Sequence, residues 1–147
     1  MESKTVMTPG PSVFEGIPAD LPKRVLIVDD DRDIRQLLAT FIGRLNADVS
    51  QAVNGEEALR MFRERPFDLV ITDIEMPVMD GLILMKRIKA LSGDTPVVII
   101  TGQTVGSIER SGGLAPAETV LYKPFSLDTI KAVLETVFDR GKKDRQQ

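Results

Sequence analysis

Leu69-Val70-Ile71-Thr72-Asp73 is the stretch on which the reading of this chain turns. A short, continuous apolar run suits a strand buried on both faces, and such strands belong to parallel sheets covered by helices on either side. The run closes on a hydroxyl and a carboxylate. Two other stretches repeat it: Val25-Leu26-Ile27-Val28, closing on Asp29-Asp30-Asp31, and Val97-Val98-Ile99-Ile100, closing on Thr101. Ala47-Asp48-Val49-Ser50-Gln51 alternates instead, which suits an edge strand. Val120-Leu121-Tyr122, followed by Lys123-Pro124, is a fifth candidate.

Between these runs the apolar period changes to that of a helix. Ile34, Leu37, Leu38, Phe41, Ile42 and Leu45 recur at helical spacing. Asn54 with Glu57 reads as a capping box opening a helix through Ala58, Leu59 and Phe62. Leu84, Ile88 and Leu91 mark a third helix, and Ser126 caps a last one whose face is Ile130, Val133, Leu134, Val137 and Phe138. Strand and helix in alternation over residues 23–140 predict an α/β fold, a doubly wound parallel sheet with helices on both faces. The crossover from Gly102 to Thr119 holds Gly102, Gly106, Gly112, Gly113 and Pro116. Each interior glycine costs a helix about 1 kcal/mol relative to alanine, so a short or mobile helix is expected there.

Composition narrows the chemistry. A chain of 147 residues, 42% apolar and 28% charged, is one soluble domain with a little chain to spare. Nineteen basic against 22 acidic residues leave a charge of −3, which argues against nucleic acid as a partner. Without cysteine there is no disulfide framework or thiolate metal site, and without histidine no Ser-His machinery and no imidazole ligand. Residues 1–22 contain Pro9, Pro11, Pro18 and Pro22 and no apolar run, and read as a flexible arm rather than a signal peptide. No stretch approaches the roughly 20 apolar residues of a membrane span, so no membrane insertion and a cytoplasmic location are expected. Gly141 reads as a helix stop, leaving residues 141–147 as a disordered tail, with no output domain after it.

In an open α/β sheet the ligand crevice lies beyond the carboxyl ends of the strands. Asp29, Asp30, Asp31, Asp73, Thr101 and Lys123 all fall at such ends. Taken singly each has an ordinary role: Asp31 as a helix N-cap, Asp73 as a loop acid, Thr101 as a turn residue, Lys123 as a surface cation. Jointly they bring carboxylates, a hydroxyl and an ammonium to one edge. Clustered carboxylates must hold protons or share a cation, and an all-oxygen site suits Mg²⁺. A nearby ammonium is a point charge suited to a phosphate oxygen.

Four blocks then resemble the receiver domain of two-component response regulators: Val28-Asp29-Asp30 with Arg35, Asp73-Ile74-Glu75-Met76-Pro77-Val78-Met79-Asp80-Gly81, Thr101-Gly102, and Lys123-Pro124-Phe125. The resemblance spans about residues 23–140. It implies a flavodoxin-like sheet ordered 2-1-3-4-5, a cis Lys123-Pro124 bond, and Asp73 as phosphoacceptor. It further implies Asp29, Asp30, Asp73 and the backbone carbonyl of Glu75 as ligands of Mg²⁺, with Thr101 and Lys123 on the phosphoryl oxygens. A partner sensor histidine kinase or histidine phosphotransfer protein would be the donor, since this chain has no histidine. A single-domain regulator of this kind would catalyse only its own phosphorylation and dephosphorylation, and would signal by docking to a downstream protein or by relaying the phosphoryl group.

The chain departs from the family pattern where an aromatic usually precedes the lysine by three residues, for Val120 stands there. Tyr122 is expected to pack in the core rather than to replace that aromatic. Phosphorylation is expected to act by ordering residues 102–118, and Glu75 and Gln103 to set the acyl-phosphate lifetime. Two other functions compete with this one. A haloacid-dehalogenase-type hydrolase shares the Asp29-x-Asp31 pattern but needs further acids after the lysine, where only one helix remains. A phosphorylation-independent adaptor would keep the fold and lose the switch.

Overall fold

The computed structural model describes residues 24–102 and 116–146, with side chains through Val137. The expected arm at residues 1–22, and most of the glycine-rich crossover with Gln103, lie outside the described residues. Nine elements follow in order: β1 (Arg24–Val28), α1 (Arg32–Gly43), β2 (Asp48–Ala52), α2 (Gly55–Glu64), β3 (Leu69–Asp73), α3 (Gly81–Leu91), β4 (Val97–Thr101), β5 (Thr119–Tyr122) and α4 (Leu127–Gln146).

The strands form one parallel sheet ordered β2-β1-β3-β4-β5, as expected. Its two faces sort the apolar residues by parity, because successive side chains on a strand point to opposite sides. Leu26, Val28, Val70, Val97 and Ile99 face α2 and α3, where Leu59, Phe62, Met85 and Ile88 cover them. Val25, Ile27, Leu69, Ile71, Val98 and Ile100 face α1 and α4, meeting Leu38, Phe41, Ile42, Ile130 and Leu134. Burial on both sides explains why β1, β3 and β4 read as unbroken apolar runs. Each fully buried Leu or Ile contributes roughly 1.5–3 kcal/mol relative to exposure.

Register places the strand ends together. Val28 pairs with Ala52 and Thr72, Asp73 with Ile100, and Thr101 with Tyr122. The residues that follow those ladders therefore emerge at one edge. Helix starts are capped there too. Asp31 accepts from the amides of Asp33 and Ile34, Asn54 from Glu57 at 2.8 Å, and Asp80 from Ile83 at 2.9 Å. Ser126 accepts from the Thr129 amide at 3.2 Å. Glu57 reaches back to the Val53 amide at 3.0 Å, one residue outside the cap itself.

At the opposite edge Arg24 fastens the start of the sheet. Its backbone amide donates to Asp68 Oδ2 at 2.9 Å, and its guanidinium donates to the Pro66 carbonyl at 2.9 Å while lying 4.3 Å from the Phe67 ring centroid. A cation over an aromatic face adds about 0.5–1 kcal/mol at a partly exposed site.

Three expectations are corrected. Helix α4 does not stop at Gly141 but runs to Gln146, so residues 141–146 are helix rather than disordered tail. An interior glycine costs about 1 kcal/mol without breaking a helix, and the Lys, Arg and Gln residues around it are good helix formers. Tyr122 is 43% exposed, not packed in the core. It is the last residue of an edge strand, and Val120, two positions earlier, takes the packing against the core instead. Leu91, expected on the buried stripe of α3, is exposed at the final turn.

Val78 adopts φ +73° and is 75% exposed. The left-handed region costs an L-residue roughly 1–2 kcal/mol, and a β-branched side chain is especially ill suited to it. Val78→Gly removes that strain and forfeits little packing. Against the extra unfolded-chain entropy of glycine, a net stabilisation of about 0.5–1 kcal/mol is expected, read as a higher urea midpoint with an unchanged m-value.

Candidate functional site

Asp29 follows β1, and no part of it is accessible to solvent. Its Oδ1 accepts from the Asp31 amide at 2.9 Å, a bond that folds the turn into α1. Its Oδ2 is buried and has no hydrogen-bond partner among the described residues. The nearest cation to that oxygen is Lys123 Nζ, 3.7 Å away. Burial, chiefly, pushes the Asp29 carboxyl up to about 6. The negative charges of Asp73 and Asp30 push the same way, against the Asp31 amide and Lys123.

Asp73 ends β3 and is 3% exposed. Its Oδ2 accepts from Lys123 Nζ at 3.1 Å. Burial raises its carboxyl above the usual range, opposed first by Lys123 and then by the backbone amides of Glu75 and Ile74. For Lys123 burial acts to lower the pKa, but the hydrogen bond to Asp73 and the charges of Asp29, Asp73 and Asp31 outweigh it, and the ammonium is held above its ordinary value. Lys123 stands just past β5, and its bond to Pro124 is cis, as expected.

One carboxylate oxygen each from Asp29, Asp30 and Asp73 lies within 4.8 Å of the others. Asp30 is exposed and closes the group from the solvent side. Thr101 is fully buried at the end of β4, and its carbonyl accepts from the Lys123 amide at 2.8 Å. Glu75 is exposed two residues past Asp73, at the start of the β3–α3 loop. The structure thus brings Asp29, Asp30, Asp73 and Lys123 into one pocket, with Thr101 on the strand between β3 and β5.

Two buried carboxyls with raised proton affinity, one carrying an unpartnered oxygen, make a site short of positive charge. Among the described residues, Lys123 is the cation that the ion pairs place against Asp29 and Asp73. The donor set is all oxygen, with one solvent-facing member. That fits a hard divalent ion such as Mg²⁺, which takes few protein ligands and keeps waters.

Reading the strand ends alone did not find Gly81. A Cβ there would lie 2.0 Å from the Asp73 carbonyl oxygen and 3.0 Å from Ile74 Cα. Glycine as the first residue of a helix, against helix propensity, was the available signal. Arg35, quoted as part of a motif but given no task, donates from Nη1 to the Asp29 carbonyl at 2.7 Å.

An open parallel sheet with carboxylates, a threonine and a lysine gathered at its carboxyl edge defines a class of α/β domain whose working surface is that crevice. Residues 25–135 match the family model of the response regulator receiver domain. The chain is 34% identical over 117 residues to the transcriptional regulatory protein PrrA of Mycobacterium tuberculosis, covering 80% of this chain and 50% of that protein. It is 34% identical over 125 residues to the response regulator MprA of Mycobacterium sp. strain KMS, covering 84% and 54%. The chain spans about half the length of the curated relatives it matches. Among solved structures, the chemotaxis protein CheY4 of Vibrio cholerae superimposes with a TM-score of 0.70 at 33% identity, over 78% of this chain and 97% of that one. The response regulator TrrA of Thermotoga maritima, solved with Mg²⁺ and BeF, gives 0.71 at 32% identity, over 78% and 98%. This chain belongs to the response regulator receiver domain family, and with it to phosphoryl-accepting two-component signalling.

Proposed function

We propose that Asp73 accepts a phosphoryl group from a phosphohistidine on a partner kinase or phosphotransfer protein, and that the modified domain docks to a downstream protein or passes the group on. The observation that supports this most directly is the pairing of a nearly buried Asp73 carboxylate with Lys123 Nζ at 3.1 Å, beside the unpartnered oxygen of Asp29. Asp73 Oδ attacks phosphorus, the P–N bond of the donor breaks, and an acyl phosphate forms as the imidazole leaves. A carboxylate is a competent nucleophile there, and the loose transition state requires positioning and neutralisation rather than a strong base. Lys123 moves its hydrogen bond from the carboxylate to a phosphoryl oxygen, and the Thr101 hydroxyl takes another.

Asp29, Asp30, Asp73 and the Glu75 carbonyl would hold Mg²⁺, which when bound neutralises charge building on the phosphoryl oxygens. The proposal includes a cytoplasmic site of action. Among the described residues no helix is long and apolar enough to cross a membrane. Of residues 102–118, expected to be ordered by phosphorylation, 103–115 lie outside the described residues.

Intact mass after incubation with Mg²⁺ and a small-molecule phosphodonor tests the reading. One added phosphoryl group is expected on the wild-type chain, and none on Asp73→Ala or in the presence of chelator. An adduct that persists in Asp73→Ala would overturn Asp73 as the acceptor, and a wild type unmodified by both a small donor and a phosphorylated histidine kinase would overturn the reading in favour of the phosphorylation-independent adaptor. Hydrogen exchange across residues 102–118, compared with and without a beryllofluoride adduct, tests the ordering of that segment; equal protection in both would remove it.

A further inference from the structure

Beyond the pocket, one polar contact behind it has no evident task in packing. Arg35 lies on the first turns of α1 and is half-buried. Its Nη1 donates to the backbone carbonyl of Asp29 at 2.7 Å, and its Nε donates to Gln51 Oε1 on β2 at 3.3 Å. The Asp29 carbonyl needs such a partner. The Asp29 amide makes the last bond of the β1–β2 side, to the Ala52 carbonyl at 3.2 Å, after which both chains leave the sheet for their helices. The carbonyl one step further on has no strand to meet, and the guanidinium supplies the missing donor.

We propose that Arg35 is a positioning residue for the cation site. By fixing the Asp29–Asp30 peptide plane from behind, it holds the Asp29 and Asp30 carboxylates facing the same point. The peptide it grips joins the two residues, so its rotation would swing Asp30 relative to Asp29. Asp29 is restrained from its other end, by the Asp31 amide on Oδ1. Asp30 is exposed, so solvent rather than packing surrounds its side chain. Gln51 in turn holds the guanidinium against β2, so the register of the edge strand sets where the arginine points. Groups that orient a metal's ligands without touching the metal commonly govern affinity by 10–100-fold. The inference rests on the reading that this pocket binds Mg²⁺.

Calorimetric titration with Mg²⁺ alone tests it, on wild type, Arg35→Met, Arg35→Lys and Gln51→Ala. Methionine keeps an apolar stem and removes every donor; its Mg²⁺ Kd is expected to rise about 10-fold. Lysine can still donate to the Asp29 carbonyl and is expected to recover most of that loss. Gln51→Ala leaves the direct contact and is expected to weaken binding about 2–3-fold, a result that remains readable if Arg35→Met fails to fold. Small-molecule phosphorylation at saturating Mg²⁺ is expected to reach the wild-type rate in each folded variant, which a general disturbance of the domain would not allow. Wild-type Mg²⁺ affinity in both Arg35→Met and Gln51→Ala overturns the inference while leaving the cation reading intact. A wild-type chain that binds no Mg²⁺ overturns the cation reading itself.

Discussion

Gly81→Ala is expected to destabilise the domain by about 2–4 kcal/mol and to abolish phosphoryl uptake in whatever fraction stays folded. The added methyl has no free space, since it would stand 2.0 Å from the Asp73 carbonyl oxygen, 2.8 Å from that carbonyl carbon and 3.0 Å from Ile74 Cα. All three are backbone atoms, two at the buried end of β3 and one in the residue that follows it, so no flexible side chain can move aside. The Asp73 oxygen is further held by the Thr72 hydroxyl at 2.9 Å. Helix α3 must therefore retreat. Retreat breaks the bond from the Gly81 amide to the Ile74 carbonyl, 2.9 Å long, at about 1 kcal/mol. It also loosens Leu82, Leu84, Met85 and Ile88 against the sheet, and overpacking of this kind costs about 1–3 kcal/mol. Gly43→Ala is the matched control. Nothing lies within 4 Å of its Cβ, and alanine in a helix is expected to add up to about 1 kcal/mol. Urea denaturation of both variants measures the contrast, and a Gly81→Ala midpoint equal to that of Gly43→Ala would refute the steric account.

The metal-free protein is expected to lose stability as pH rises from about 4 to about 6, opposite to ordinary acid denaturation. The cause is Asp29, whose carboxyl burial raises from 3.8 to about 6. A group that binds its proton more tightly folded than unfolded contributes its full stabilisation below 3.8, and that contribution is gone once pH passes the folded value. The span between the two values corresponds to on the order of 3 kcal/mol. Asp73 is shifted in the same direction and adds to the slope. Lys123, raised by the same acids, acts at the alkaline end, where stability falls as pH climbs through its folded value. Asp29→Asn is expected to flatten the acid limb and to stabilise the metal-free chain by about 2–3 kcal/mol at pH 7–8, since the amide oxygen can still accept from Asp31. Saturating Mg²⁺ is expected to stabilise the wild type by RT ln(1 + [Mg²⁺]/Kd) and to leave Asp29→Asn unmoved. Denaturant titrations at several pH values, in chelator and in Mg²⁺, read both effects. A wild-type profile that rises through pH 4–6 in chelator would show Asp29 to be ionised at no cost.

The sheet could be read from sequence because parallel strands covered on both faces leave continuous apolar runs, as Val25–Val28 and Val97–Ile100 do. The pocket residues could be read because each sits where such a run ends, and a carboxylate after an apolar strand needs a reason to be there. The capping residues Asp31, Asn54 and Ser126 acted as local signals and fell where the helices start. What escaped was set by distance rather than by period. Nothing in the string puts Gly81 against Asp73, because that contact depends on how α3 is seated. Nothing in it says that the Arg35 guanidinium faces a carbonyl instead of solvent. Tyr122 was misjudged since strand parity tells which face a residue takes, not whether any helix covers the end of that face. At Gly141 a local stop signal was overruled by the helix-forming residues on either side.

Asp73 ends β3 and Lys123 directly follows β5, two strands that do not pair with one another, since β4 runs between them. Their 3.1 Å bond therefore spans the end of a third strand. The outermost strand has only four residues, laddered to β4 alone, and this bond gives it a second mooring at the pocket. How often β5 peels from the sheet then depends on the charge in the pocket, and the amides of Leu121 and Tyr122 become a clock for it. Lys123→Met should quicken their deuterium exchange about five-fold, as loss of about 1 kcal/mol requires, while the amides of β3 keep their pace.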